Sequence, residues 1–191
     1  MYTDKSGGKN ISSSLQADDK NDAVYQQALN LIKLEYAICP FEEKRPTGKI
    51  QSLAKVRQSP IHRKNVDFYF PAPQIALLTG NKLEAIDVDS KNDLKGNLNH
   101  NLLSAIECAC PDIYDKLVIE KTPSGGLHIY YKCNQIGAST KLAQRRANSE
   151  ERAKAERVTI LIETRGEGGA IVASPSPGYV LIKGDFDEIA V

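Results

Sequence analysis

The chain has 191 residues, 41% of them hydrophobic and 26% charged, and a net charge of +1. That length suits one core, or one core in two lobes, and excludes a string of independent domains. The composition excludes a disordered chain, four cysteines exclude a disulfide scaffold, and the near-zero charge excludes a basic glove over the whole surface.

Residues 1–17 are rich in Gly, Ser, Lys and Asn and are expected to be flexible. Residues 1–6 hold no apolar run of the secretory kind, and no stretch of about 18 apolar residues could span a bilayer. A cytoplasmic location, reduced thiols and no membrane partner are therefore expected. Asp18 and Asp19 can cap a helix reaching about residue 34, with Val24, Ala28, Leu31 and Ile32 at helical spacing. Residues 36–39 read as a short strand stopped by Pro40. The segment 40–73 is rich in proline and bases and weak in periodicity. It holds a short helix around 50–58 and the aromatic run Phe68, Tyr69, Phe70.

Strands are predicted at 74–78 and, after a tight turn, at 83–89. A helix over 97–110 carries Leu98, Leu102, Leu103 and Ile106 and stops at Pro111. Two more strands, 117–121 and 127–133, flank Pro123, Ser124, Gly125 and Gly126. Residues 138–156 read as a polar helix. Strands at 158–163 and 169–173 are joined by a glycine-rich turn, and a last strand covers 179–183. From Asp185 a helix or linker is expected to open toward a further C-terminal region, leaving 18–184 as the structured domain. This order indicates an α/β or α+β fold with a mixed or antiparallel sheet, with hairpin-like pairs within 117–133 and 158–183.

Charge is unevenly placed. Residues 44–64 hold seven bases and no acid, whereas residues 84–120 hold eight acids against three bases. An acidic centre beside a basic segment suits a metal site next to a polyanion, although a solvated surface gives the same pattern.

Three short constellations carry chemistry. Asp87 and Asp89 alternate with Ile86 and Val88, so both carboxylates leave one face of a strand while the apolar pair enters the core. Paired hard oxygens at a strand end suit Mg²⁺ or Mn²⁺, and strand-end acids are also often simply solvated. Thr122-Pro123-Ser124-Gly125-Gly126-Leu127-His128 combines a glycine turn, whose N–H groups could meet an anion, with a histidine able to donate to phosphate. A plain turn with an incidental histidine is the alternative. Glu163 points away from Val158, Ile160 and Ile162, so it could add a third carboxylate. Arg165, in the glycine-rich turn that follows, could reach a phosphate. Together these are parts for nucleotidyl transfer with two metal ions.

The same stretches resemble the N-terminal domain of bifunctional primase–polymerases (prim–pol), in the archaeo-eukaryotic primase superfamily. The likeness lies in Leu77 to Gly80 with Leu83 to Asp89, in Thr122 to Tyr130, in Ile162 to Gly169, and in Ala173-Ser174-Pro175-Ser176. Cys39-Pro40 and Lys44-Arg45-Pro46 match the family's early segment, and the likeness covers roughly 23–184. It implies a primase core: an α/β unit beside an RRM-like unit, with the catalytic cleft between them. It implies Asp87, Asp89 and Glu163 as catalytic metal ligands for Mg²⁺ or Mn²⁺. The family usually has Asp at the Glu163 position; glutamate is one methylene longer and still an oxygen ligand. His128, helped by Ser124, Gly125 and Gly126, is implied to contact the incoming triphosphate, and Arg165 more loosely so. The implied partners are NTP or dNTP, a single-stranded DNA template and primer, and a C-terminal helicase or primase-completing domain.

Some relatives carry zinc. The spacing of Cys39, Cys108, Cys110 and Cys133 fits no zinc site, so none is expected, and core thiols are the better reading. The acid-free 44–64 segment is the favoured template surface, ahead of the bases of 138–157. Phe68 to Phe70 read as core more than as stacking residues. A nucleotide- or DNA-binding module without turnover and a metal-dependent phosphodiesterase are the alternative functions.

Overall fold

The structure, a computed structural model, describes residues 12–189. The expected flexibility of residues 1–11 lies outside them. Helix α1 (Ser12–Lys33) starts earlier than the Asp18–Asp19 cap suggests. Val24, Ala28 and Leu31 form its buried stripe. Strand β1 (Ile38–Glu42) runs through Pro40 instead of stopping there. The Pro40 carbonyl accepts the Thr47 N–H at 3.0 Å. Its missing donor therefore lies toward β2 (Arg45–Pro46), a two-residue edge strand that leaves the gap harmless. Glu43 and Lys44, at φ 48° and 63°, close the β1–β2 hairpin.

Ser52 caps α2 (Leu53–Gln58) by accepting the Lys55 N–H. The aromatic run ends a short helix, α3 (Val66–Tyr69). Phe70 is buried there and Phe68 is 59% exposed, so only part of the run is core. Strands β3 (Gln74–Leu78) and β4 (Leu83–Val88), helices α4 (Leu98–Ala109) and α5 (Pro111–Tyr114), and strands β5 (Val118–Lys121) and β6 (Leu127–Lys132) follow close to their expected places.

The polar helix expected over 138–156 is not formed. Its residues make an edge strand, β7 (Lys141–Arg146), and one turn of helix, α6 (Ser149–Ala153). No apolar stripe holds this stretch against a core, so backbone pairing with the neighbouring strand decides its shape. The Asn148–Glu151 capping box and two Arg145–Glu151 hydrogen bonds of 2.7 Å fix the α6 end.

The hairpin expected within 158–183 is also corrected. β8 (Val158–Arg165), β9 (Ala170–Ala173) and β10 (Val180–Lys183) do not pair with one another. One sheet has the order β2-β1-β3-β9 and the other β10-β5-β6-β4-β8-β7. Every named strand pair is antiparallel, which makes this an α+β fold. The turn after β8 carries the chain from the second sheet back to the first. Thr79 anchors it by donating twice: its hydroxyl to the Gly166 carbonyl at 2.8 Å and its N–H to the Gly169 carbonyl at 3.1 Å.

Two apolar clusters follow from the layering. One lies between the sheets and under α1, with Leu31, Ile38, Leu77, Ala85, Val118 and Tyr130. The other lies between the second sheet and α4, where Val88, Ile119, Ile129 and Ile162 meet Leu98, Leu102 and Ile106. Residues 185–189, where a helix or linker was expected to open, hold a turn. Phe186, 1% exposed, packs edge-on against Tyr36 and Tyr130, with ring centroids 6.0 and 5.2 Å away. The hydroxyl of Tyr36 donates to the Phe186 carbonyl at 2.7 Å. Among the described residues, no helix is long and apolar enough to cross a membrane. Phe186→Ala is expected to cost about 3–5 kcal/mol of stability, read as a lowered denaturation midpoint in urea.

Candidate functional site

Strand register builds the site. Glu120 on β5 lies opposite His128 on β6, His128 opposite Asp87 on β4, and Asp87 opposite Glu163 on β8. Partners in an antiparallel pair share a face, so the four side chains form one row across the sheet. Lys141 on β7 extends the row. The next row holds Val118, Tyr130, Ala85 and Arg165. Both rows face the first sheet, while Ile86 and Val88 turn under α4.

His128 and Asp87 of this row floor a cleft of about 310 Å³ between the sheets, and Glu163 stands beside Asp87 on the neighbouring strand. Asp87, Asp89, His128 and Arg165 line it from the second sheet, with Thr122 and Ser124 from the β5–β6 turn. Phe41, Lys44, Ile171 and Val172 line it from the first. Asp89 stands one residue past β4, with its carboxylate 3.3 Å from the Lys91 ammonium. Asp87 and Asp89 thus share the cleft, as their alternation predicts.

Arg165 binds the acids directly. Its Nη2 lies 2.8 Å from Asp87 Oδ2 and 2.7 Å from Glu163 Oε1. Partial burial pulls the guanidinium pKa down. The hydrogen bond and charge of Asp87, with the charges of Glu163 and Asp89, more than offset this and leave it above the ordinary arginine value. His128 is 5% exposed and stands between two carboxylates, with Nε2 3.7 Å from Asp87 and Nδ1 3.8 Å from Glu120. Its ring centroid lies 5.5 Å from that of Tyr179. Burial, followed by the charges of Asp87 and Glu120, raises the Tyr179 phenol pKa and keeps it a neutral donor.

The glycine turn also has a structural part. Gly125, at φ 82°, spends its N–H on the Thr122 carbonyl at 2.9 Å. A Cβ on Gly126 would collide with the Val88 carbonyl. Ser124 lines the cleft, whereas these two glycines shape the turn and let it approach β4.

Glu120 escaped the sequence reading as a site residue. It is 0% exposed, and its carboxylate accepts from the Tyr130 hydroxyl at 2.8 Å and from the Ser174 N–H and hydroxyl at 2.8 and 2.6 Å. Ser174 follows β9, so this acid joins the two sheets behind the cleft. Its signal was an acid at the alternate position to Val118 in an apolar strand, a place where acids sit only when partnered. Lys44 and Phe41 were separated from the acids in sequence, and only the meeting of the sheets brings them together.

Among the described residues, no three Asp, Glu, His or Cys side chains converge on one point. Asp87 and Glu163 nevertheless present oxygens to one shared nitrogen of Arg165, and Asp89 faces the same cleft. Such hard oxygen donors fit a small divalent cation. Of the cysteines, only Cys39 is a core thiol, its pKa pushed up to about 12, chiefly by burial. Cys108 and Cys110 are exposed and Cys133 is half-buried, which corrects the expectation of core thiols. The two exposed ones lie beyond the apolar stripe of α4, at its C-terminal end.

The model of the bifunctional DNA primase/polymerase N-terminal family matches residues 28–190. The chain belongs to that family. No curated protein matches it. Membership suggests a nucleotidyltransferase-type enzyme with DNA and nucleotide substrates, and the match to this prim–pol family includes every residue of the cleft. Glu120→Ala would strand three donors between the sheets. It is expected to cost about 3 kcal/mol or more, seen as a lower melting temperature, with Glu120→Gln losing less.

Proposed function

We propose that the cleft performs metal-dependent, template-directed nucleotidyl transfer, synthesising and extending DNA primers. The observation that supports this best is the pair Asp87 and Glu163, held side by side on neighbouring strands, with Asp87 lining a cleft that His128 and Arg165 share. In this reading the six-stranded sheet with α4 is the RRM-like unit of a primase core, and the first sheet with α1 is the companion α/β unit. Asp87, Asp89 and Glu163 would hold the divalent ions. Bound Mg²⁺ or Mn²⁺ would offset polyphosphate charge and ease loss of the primer 3′-hydroxyl proton.

The remaining work falls to the chain itself. The half-buried Asp87 and Glu163 are pre-set by the sheet and need no rearrangement at the moment of reaction. His128, clasped between Asp87 and Glu120, turns an imidazole N–H toward the phosphates. Ser124 and Lys44 approach from opposite walls and hold the polyphosphate in line. The primer 3′-oxygen bonds to the α-phosphorus as the bond to the pyrophosphate oxygen breaks, and pyrophosphate leaves. Template binding falls to the exposed bases of 44–64, of which Arg45, Lys55, Arg63 and Lys64 make no ion pair among the described residues. Lys49 and Arg57 serve the fold instead: Lys49 donates to the Phe68 carbonyl and Arg57 to the Gly169 carbonyl.

A binding module without turnover is favoured by one observation, the neutralisation of the acids by Arg165, which lets a polyanion approach without metal. Incorporation of labelled dNTP and NTP on primed and unprimed single-stranded DNA, with Mn²⁺ and with Mg²⁺, separates the readings. Product is expected from the native protein and is expected to fall at least about a hundredfold in Asp87→Ala/Asp89→Ala. Synthesis retained in a folded double variant overturns the proposal, and metal-independent DNA binding with no product selects the binding module.

A further inference from the structure

Asp87 and Glu163 are directly opposed across the β4–β8 pair in a half-buried site, a placement in which like charges repel. Arg165 resolves the repulsion from the adjoining row. One nitrogen, Nη2, reaches both carboxylates at 2.8 and 2.7 Å, and Nε adds a second contact to Asp87 at 3.2 Å. That nitrogen stands where a cation shared by the two acids would stand. The guanidinium is 36% exposed and lines the cleft, so it is not locked in by packing. Among the described residues, the polar partners of its side chain are these two acids.

We infer that Arg165 is an exchangeable counterion. It closes the acid pair while the cleft is empty of substrate, surrenders the acids to an incoming divalent ion, and passes its charge to the polyphosphate that arrives with it. The inference rests on the reading of Asp87, Asp89 and Glu163 as metal ligands. Guanidinium and metal compete for the same oxygens, so metal alone binds weakly. A polyphosphate that draws the guanidinium away removes the competitor, and the two ligands then bind with positive coupling. The device also spares the resting protein a cluster of bare carboxylates in a cleft that binds a polyanion.

The test is Mn²⁺ binding to the full chain without DNA or nucleotide, with free Mn²⁺ read by electron paramagnetic resonance. A second titration, by calorimetry, uses a non-hydrolysable dNTP analogue in excess Mn²⁺. Arg165→Gln is expected to bind Mn²⁺ about tenfold tighter than the native protein, within the usual span of coupling between sites, and to bind the Mn²⁺–nucleotide complex more weakly. Arg165→Lys keeps the charge but loses the fork, and is expected to fall between the two for Mn²⁺. Mn²⁺ affinity unchanged or lowered in folded Arg165→Gln overturns the inference. If that variant does not fold, unchanged or lowered affinity in Arg165→Lys does the same. Asp87→Ala/Asp89→Ala separates the layers: Mn²⁺ binding untouched there defeats the metal-site reading itself. Binding lost there but unmoved by the Arg165 variants defeats the counterion alone.

Discussion

The cleft exists because Glu120 ties the two sheets together. A carboxylate removed from water is costly unless its oxygens are satisfied. Here the acceptors are filled by Tyr130 from its own sheet and by the backbone and hydroxyl of Ser174 from the other. The bonds cross the apolar layer, where a slip of either sheet would leave the acid unpaired. They therefore fix the distance and register of the two walls more sharply than apolar contacts, which tolerate sliding. His128, Asp87 and Glu163 lie in the same row as Glu120, so the geometry of the cleft floor is set from this buried end outward.

Much of the site was legible because period-two alternation is a local signal. Asp87 between Ile86 and Val88, and Glu163 after Ile162, could be assigned to a face without knowing what lay opposite. The chain order of the strands was legible for the same reason. Pairing was not. The glycine turns at 122–126 and 166–169 look alike in sequence, yet one closes a hairpin and the other carries the chain between sheets. Which of these a turn does is decided by Thr79, nearly ninety residues away from the second turn in sequence, and no local pattern encodes that. The edge strand β7 was hidden by its composition, since polar residues rich in Ala, Arg and Glu favour a helix until a partner strand offers its backbone.

Glycine and arginine also mark the limit of reading roles from residue type. Gly125 and Gly126 have the composition of an anion cradle, yet each also has a structural reason to be glycine: one N–H closes a turn, and β4 passes too close to the other for a side chain. Arg165 has the composition of a phosphate contact, and it rests on carboxylates. In the basic segment, Lys49 and Arg57 hold backbone carbonyls while their neighbours remain exposed. A charge count over 44–64 therefore overstates the surface left for a polyanion.

The interleaving of the sheets has a consequence in time. β3 pairs with β9, and β5 pairs with β10, so each sheet takes its last strand from the final quarter of the chain. Pairings so distant in sequence carry a large loop-closure cost before they return any contact energy, and they slow folding. During synthesis β3 emerges long before its outer partner and must wait with one edge bare. The first sheet is completed only when residue 173 is available, and Glu120 has no clasp until Ser174 follows it. Assembly is thus a late, single event, and the nascent chain depends on being kept from stray strand pairing until then.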